Sequence, residues 1–240
     1  MGLSTSSVVH AQDFRDISST KQLRLGQKAE TVDGRVYRYA LNGAVALAPG
    51  KICVAAAHVA NHVNQAVNEA AAVGADRVKV TLGATAATAD QYADGYLAIN
   101  DAAGEGINYL VQGHPAIGSA GSGYISLDDN IKVALTTSSE YSLIANPWSA
   151  VIVAPNAVAH RAVGVPNVAV TAAYYGWLQT KGDCSVLSDG VITKGAGAIL
   201  SDAVAGAVEI EVAATVTNRV GRAPEATVDT EYRLIDLSID

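Results

Sequence analysis

Residues 32–43, VDGRVYRYALNG, decide the fold class. Asp33-Gly34 is typical of a tight hairpin turn, because both residue types tolerate a positive φ. The alternating run 36–41 follows directly and is typical of a strand with one buried face. Asn42-Gly43 predicts a second turn, with another short strand at 43–47. The stretch therefore predicts a β protein built from hairpins.

Short alternating runs of the same kind continue along the chain, with Gly, Asn and Asp between them. Examples are RVKVTL at 77–82, GYLAIN at 95–100 and INYLV at 107–111. Many short strands at regular spacing, separated by turn residues, favour an antiparallel barrel or sandwich. The predicted fold class is mainly β.

Residues 53–73, CVAAAHVANHVNQAVNEAAAV, are the best helix candidate. Five apolar residues recur at the helical period and would form one stripe, namely Val59, Val63, Ala66, Ala70 and Val73. Gly74 then occupies the position of a C-terminal cap. The alternative is a Val/Ala-rich linker with pieces of strand. At most one or two short helices are therefore expected, near 53–73.

The chain divides into an arm and a body. Residues 1–22 are rich in Ser, Thr, Gln and Asp, and their apolar residues show no period, so they predict an extended N-terminal arm that is ordered only where something docks it. Residues 23–240 form the β-rich body. It is either one domain or two lobes split near 118–123 (GSAGSG) or near 155–166, where two prolines bracket a loop.

Composition limits the possible partners. The 240 residues are 50% hydrophobic, enough for a sizeable core. A net charge of −7 argues against binding to nucleic acid, which requires an excess of Lys and Arg. No apolar run reaches the ~18 residues of a membrane span. Cys53 and Cys184 lie outside any CxxC motif and are predicted to be buried, reduced thiols, as suits a protein made in a cytoplasm.

Candidate chemistry is sparse. His58 and His62 would lie one helical turn apart, with Glu69 as a distant third zinc ligand. However, Val59 stands where a zinc-protease helix carries its glutamate, and polar residues flanking a buried stripe explain the pattern more simply. Glu209 and Glu211 share one strand face but are better explained as a solvated face. No catalytic residue, bound metal or cofactor is therefore predicted.

Aromatic and apolar residues are the better candidates for interaction. In YYGWLQT (174–180), alternation places Tyr175, Trp177 and Gln179 on one strand face. That face would be a carbohydrate platform or a protein contact, or else Trp177 fills the interior of a barrel that is poor in aromatic residues. The predicted interaction residues come from the arm and from this strand: Val8, Val9, Phe14, Ile17, Tyr175 and Trp177.

Three segments resemble a known family. VTLGATAATADQYADGYLAINDAAGEG (80–106), TTSSEYSLIANPW (136–148) and YYGWLQTKGDCSVLSDG (174–190) resemble virion structural proteins of tailed bacteriophages, of the head-decoration or cement type. The similarity extends over roughly residues 25–238.

The resemblance implies a non-enzymatic capsid protein. Such a protein is made in the host cytoplasm, binds the outer surface of the major capsid lattice in the virion, and forms a homotrimer or another symmetric homo-oligomer. The alternatives are another virion component, in the tail, the baseplate or a host-glycan recognition module, and an enzyme using His58/His62 or a pair of carboxylates.

Overall fold

The computed structural model describes residues 13–156, 160–212 and 218–240. The chain is nearly all β, with antiparallel sheets that form a half-barrel and a nearly closed barrel, so the mainly β prediction is confirmed. The strands of the described residues are, in chain order, β1 (Lys28–Glu30), β2 (Val36–Leu41), β3 (Cys53–Val54), β4 (Gln65–Ala66), β5 (Arg77–Thr81), β6 (Tyr96–Asp101), β7 (Asn108–Gly113), β8 (Ser122–Leu127), β9 (Glu140–Ile144), β10 (Ile152–Val153), β11 (Ala162–Pro166), β12 (Tyr175–Leu187), β13 (Gly197–Leu200), β14 (Val208–Ile210), β15 (Arg219–Arg222) and β16 (Tyr232–Ser238). Within the described ranges, no helix is long and apolar enough to cross a membrane.

The chain forms two compact units. Ala57–Asn146 is one, here called the barrel unit, and the described residues before and after it form the other, the half-barrel unit. The boundaries suggested at 118–123 and 155–166 are wrong, because both stretches lie inside a unit. The first leads directly into β8 and the second contains β11, so their Gly and Pro residues serve turns and strand ends within a unit.

The barrel unit contains a six-stranded sheet in the order β4-β9-β6-β7-β8-β5. A bridge between Val67 and Val80 joins the two edge strands, so the sheet nearly closes on itself. One contiguous core of Val, Ile and Leu side chains fills the interior, together with the buried rings of Tyr92, Tyr109 and Tyr141. Closure removes most of the unpaired edge that an open sheet exposes.

The half-barrel unit is organised around β12, which is thirteen residues long. The first half of β12 pairs with β2 and β11, and its second half pairs with β16. The register shifts between Gln179 and Lys181, where the partner changes. Because the two halves have different neighbours, the buried residues fall into three separate clusters.

Gln179 holds the bend in β12. Its side-chain amide donates to the carbonyls of Lys181 at 3.1 Å, Gly182 at 3.1 Å and Asp183 at 3.0 Å. Its Oε1 accepts from Asn167 Nδ2 at 3.1 Å. Gly182 has a φ of +82°, which residues with a Cβ adopt only at a cost. The fully buried amide therefore replaces the ladder bonds that the bulge removes.

The two turns that the sequence predicts around β2 have different outcomes. β1 and β2 pair as an antiparallel hairpin around Asp33-Gly34, which confirms the first turn. The prediction of a hairpin turn at Asn42-Gly43 is wrong. Asn42 is buried and its amide donates to the carbonyls of Val170 and Thr171, so it holds distant segments of the chain together.

The helix predicted over 53–73 is also wrong. The segment contains β3, the three-residue 3-10 turn Ala60–His62, and β4, which agrees with the alternative of a linker with strand pieces. The expected apolar stripe is not a buried face, since Ala66 and Ala70 are exposed and Val73 is 64% exposed. Pairing of β3 with β10 and β11 outweighs the weak helical period of a Val/Ala-rich segment.

One turn recurs throughout both units. In each case the fourth residue donates to the carbonyl of the first and the third has a positive φ, the pattern of a type II turn. The third residues of these turns are Gly26, Gly50, Gly74, Asp90, Asp94, Gly104, Gly106, Ala120, Ala173, Gly195, Gly206 and Thr230. Several of these turns directly follow a buried residue. Two pairs of those buried residues form reciprocal backbone bridges, Leu47 with Val170 and Ala87 with Ile117.

Candidate interaction surface

Four of the predicted interaction residues lie together in the half-barrel unit. Phe14, Tyr175 and Trp177 belong to one cluster, and the side chain of Ile17 packs over Gly176 of the same strand. Val8 and Val9 lie outside the described residues. Their predicted role in binding a partner stays a prediction.

The cluster is built by ring packing across β2 and β12. Phe14 stacks on Tyr37 with ring centroids 4.9 Å apart, and Tyr39 stacks on Tyr175 at 5.7 Å. Trp177 meets Tyr39 edge-on at 5.3 Å. Each such pair adds ~0.5–1.5 kcal/mol beyond the area it buries. These contacts form one layer of packed rings on this part of the sheet, here called the aromatic floor.

The described part of the arm, residues 13–22, lies on this floor. Ser18 N–H donates to the Tyr175 carbonyl at 3.0 Å, and Tyr175 N–H returns a bond to Ser18 at 2.8 Å. Gln22 N–H donates to the Tyr39 hydroxyl at 3.1 Å. The arm is therefore anchored on its own unit from Phe14 onwards, which the sequence left open.

Two guanidinium groups cover the ring of Phe14. Arg15 lies 4.5 Å and Arg35 5.2 Å from its centroid, and Arg35 also lies over Tyr37 at 5.9 Å. Cation–π contacts of this kind contribute ~0.5–1 kcal/mol each at exposed sites. Phe14 is thus held by stacking on Tyr37 and by cation–π contacts with Arg15 and Arg35.

Trp177 does not form an exposed platform. It is only 2% exposed, which agrees with the interpretation that it fills the interior, and a sugar has no access to its face. A cavity of about 280 Å³ adjoins it, lined also by Asp13, Phe14, Glu30 and Tyr37. The Trp177 indole N–H has no hydrogen-bond partner among the described residues. Burial raises the pKa of Tyr37 to about 12, so its hydroxyl keeps its proton.

A second surface surrounds Tyr232 on β16. It contains a cavity of about 450 Å³ whose lining includes Pro49, Pro166, Cys184 and Tyr232. Tyr232 is 49% and Leu234 52% exposed, two residues apart and therefore on one face of the strand. The pair is not among the interaction residues predicted from the sequence, although the spacing of Tyr232 and Leu234 within a strand was a usable signal.

Both cysteines are buried and free, as the sequence predicts. Desolvation raises the pKa of the Cys184 thiol to about 12, and that of Cys53 is also raised by burial. A thiol that stays protonated is a poor nucleophile and a poor metal ligand. Cys184 therefore acts as an apolar wall of the cavity.

The metal candidates do not come together. His58 is exposed, whereas His62 is buried and bonded to the Tyr92 hydroxyl and the Thr85 carbonyl. Glu69 accepts from Tyr124 at 2.6 Å and Lys79 at 3.2 Å, and these contacts hold its pKa below the usual value. No group of three or more His, Cys, Asp or Glu residues with metal-binding geometry occurs in the described part of the chain.

The carboxylates of Glu209 on β14 and of Glu211, which directly follows β14, have separate environments. Burial, and then the charges of Asp202 and Asp189, raise the pKa of Glu209. Glu211 pairs with Arg219, and its other carboxylate oxygen is buried without a partner among the described residues. The pair is thus partly buried, whereas a solvated face was expected.

Comparison of the chain with models of protein families, with curated proteins and with solved structures finds no match.

Proposed function

We propose that this chain is a structural component of a tailed-bacteriophage virion, of the capsid-decoration type. It binds the outer surface of the major capsid lattice and stabilises the head, without a catalytic step. The three segments that carry the resemblance support this class. They contain the whole of β6, β9 and β12, and so belong to the framework of both units.

The anchored arm is the observation that carries the proposal. Phe14 fixes the described start of the chain on the aromatic floor of the half-barrel unit. Residues 1–12 precede this anchor, and a segment of that length reaches up to about 40 Å when extended. A segment tied at one end gains contact area on a neighbouring subunit at a lower entropic cost than a free peptide.

The surface of the half-barrel unit also supports a binding role. Tyr232 and Leu234 expose apolar area beside a cavity, and such area is typical of protein contacts. In a symmetric oligomer, such as a trimer, one heterologous contact repeated around a ring closes without leaving an open filament. Capsid binding by a homotrimer therefore uses both the arm and this surface.

Two observations disfavour the alternatives. A host-glycan platform at Tyr175 and Trp177 requires free ring faces, whereas Trp177 is buried and Tyr175 stacks on Tyr39. A zinc enzyme at His58 and His62 requires converging ligands, whereas His62 already has a partner on each ring nitrogen. A structural role in the tail stays open to test.

The test is co-sedimentation with particles of the phage whose genome encodes the chain, before and after disassembly into shell subunits. We expect saturable binding to assembled heads and at least tenfold weaker binding to free subunits. A chain lacking residues 1–12 is expected to bind heads more weakly while keeping the oligomeric mass measured by light scattering. Val32→Ser is the matched control, because Val32 is fully exposed on the β1–β2 turn of the same unit.

Two results would contradict the proposal. Equal binding to free subunits would exclude recognition of a lattice. Labelled protein located on tails by electron microscopy would assign the chain to the other class of virion component.

A further inference from the structure

Three neighbouring rings, edge-on or tilted to one another, lie in the interior of the barrel unit. His62 is 0%, Tyr92 1% and His114 5% exposed. The ring centroids of His62 and Tyr92 are 5.6 Å apart, and those of Tyr92 and His114 are 5.7 Å apart. Histidine is the side chain whose charge ordinarily changes between pH 5 and 8, so buried histidines are natural places to look for acid sensitivity.

The bonds of His114 identify the tautomer of its neutral ring. Nδ1 lies 2.8 Å from the Pro115 carbonyl, which can only accept, so Nδ1 carries the proton. Nε2 accepts from the Tyr92 backbone N–H at 3.2 Å and therefore carries none. Both partners are backbone groups that cannot exchange donor and acceptor roles. A second proton, on His114 Nε2, would place that N–H against the Tyr92 backbone N–H, so that two donors face each other and the bond to Tyr92 breaks.

His62 is more tolerant of a second proton. Its Nε2 donates to the Thr85 carbonyl at 2.8 Å, and its Nδ1 accepts from the Tyr92 hydroxyl. A hydroxyl can rotate and accept instead of donating, unlike a backbone N–H. The hydroxyl also receives a bond from Gln91 Nε2 at 3.4 Å. His114 is thus the residue of this cluster that acid disturbs.

Two aspartates lie on the turn that carries Tyr92, and the contacts of Asp90 are to the backbone of His114. The Asp90 carboxylate accepts from the His114 backbone N–H at 2.9 Å, and Asp90 N–H donates to the His114 carbonyl at 3.0 Å. Asp94, on the same turn as Tyr92, is tied through its N–H to the Val111 carbonyl at 2.9 Å. Asp90 favours positive charge nearby, but Nε2 faces the Tyr92 N–H.

We propose that His114 is an acid-sensitive latch: a second proton on its Nε2 breaks the bond to Tyr92 and loosens the barrel unit, while the half-barrel unit stays folded. The inference is independent of the proposed function. It rests on the bonding of one side chain inside one unit. Loss of the bond releases the turn that carries Tyr92, which precedes β6 directly.

The test is hydrogen exchange by mass spectrometry on the full chain at pH 7.5 and pH 5.0, with rates corrected for intrinsic exchange. We expect protection of β6 and β7 to fall by about 5- to 100-fold at pH 5.0, because the cost of an unsatisfied buried donor corresponds to a factor of that size. Protection of β12 is expected to stay constant. Fluorescence of Trp148 and Trp177, both in the half-barrel unit, provides an independent check.

Two variants separate the latch from general acid effects. His114→Gln provides a neutral side-chain carbonyl for the Tyr92 N–H and is expected to abolish the difference between the two pH values. His58→Gln changes an exposed histidine of the same unit and is expected to keep the full difference. The same pH response in His114→Gln as in the unaltered chain overturns the proposal.

NMR of the unaltered chain tests the proposal even where His114→Gln fails to fold. We expect ring nitrogen shifts that identify the Nδ1–H form of His114 and the Nε2–H form of His62 at pH 7.5. A His114 ring that takes up a second proton while β6 and β7 keep their full protection would contradict the latch.

Discussion

The barrel unit and the half-barrel unit use the same short strands and the same turn, but they differ in how completely they satisfy their own groups. The barrel unit has one core and a nearly closed sheet, and its buried His62, His114 and Asn146 side chains are all bonded. The half-barrel unit has three separate clusters and an open sheet. The buried side-chain atoms found without partners, within the described ranges, are Asn42 Oδ1, Trp177 Nε1 and Glu211 Oε1, all in the half-barrel unit.

The difference indicates which unit has buried polar groups that are not satisfied within the unit itself. An unpaired buried polar atom costs ~1–3 kcal/mol, and cavities cost stability through lost packing. A unit that keeps such features gains more from a partner than one whose groups are already satisfied. The anchored arm and the Tyr232 surface belong to this same unit. The comparison therefore supports binding through the half-barrel unit.

The sequence offers a convenient way to follow the two units separately. Both tryptophans, Trp148 and Trp177, lie in the half-barrel unit, whereas Tyr92, Tyr109 and Tyr141 lie in the core of the barrel unit. Tryptophan fluorescence therefore reports unfolding of the half-barrel unit alone. Hydrogen exchange of β6 and β7 reports the barrel unit.

The largest expected effect is that of Gln179→Met. Methionine keeps the volume but leaves the three carbonyls at the β12 bend without their donor, so we expect the half-barrel unit to lose about 2–4 kcal/mol of unfolding free energy. Denaturant unfolding followed by tryptophan fluorescence measures the loss. Gln27→Ala in the same unit is the control, expected within about 0.5 kcal/mol of the unaltered chain. An equal loss of protection in β6 and β7 would show that the units do not unfold separately.

The sequence predicted the features that depend on residues close together in the chain. The Asp33-Gly34 turn formed because its backbone requirement is met within four residues, and the faces of 174–180 followed from strict alternation. Alternation correctly placed Trp177 and Gln179 on the face opposite Leu178, because a buried strand cannot shift its register without exposing its apolar side chains.

Other features depend on contacts between residues far apart in the chain, and patterns in the sequence did not predict them. The helix over 53–73 was wrong because Val and Ala at a helical spacing also fit short strands, and only pairing with β10 and β11 decides between them. The recurrent turn is a repeat of backbone conformation. Its third position holds Gly, Ala, Asp or Thr, so residue identity does not reveal it. The Gln179 contacts depend on a bulge that no local pattern indicates.

A smaller effect is expected where alanine occupies that third position. Ala120 in the barrel unit and Ala173 in the half-barrel unit have φ values of +52° and +59°. A left-handed alanine costs ~1–2 kcal/mol, and glycine gives back part of this through unfolded-state entropy. Ala120→Gly is therefore expected to stabilise the barrel unit, and Ala173→Gly the half-barrel unit, by about 0.5–1 kcal/mol each.

Matched alanines in the second position of the same turn provide the control. Ala89 in the barrel unit and Ala205 in the half-barrel unit are exposed and do not have a positive φ. Ala89→Gly and Ala205→Gly are expected to destabilise their units by about 0.5 kcal/mol, since only the entropic cost of glycine remains. Destabilisation by all four changes would mean that the left-handed turn is not a source of strain.

The smallest effect concerns Glu209 on β14 and Glu211 directly after it, and depends on pH. Because burial raises the pKa of Glu209 in the folded chain, folding favours its protonated form, and its charge costs stability at neutral pH. Glu209→Gln is thus expected to stabilise the half-barrel unit by roughly 0.3–0.5 kcal/mol at pH 7 and to have a smaller effect near pH 4, where the carboxyl is mostly protonated. Glu211→Gln changes the residue directly after β14 that pairs with Arg219, and is expected to act in the opposite direction at pH 7. Fluorescence-monitored denaturation at both pH values measures the two variants side by side. Equal signs at pH 7 would show that the pairing of Glu211 with Arg219 does not distinguish the two carboxylates.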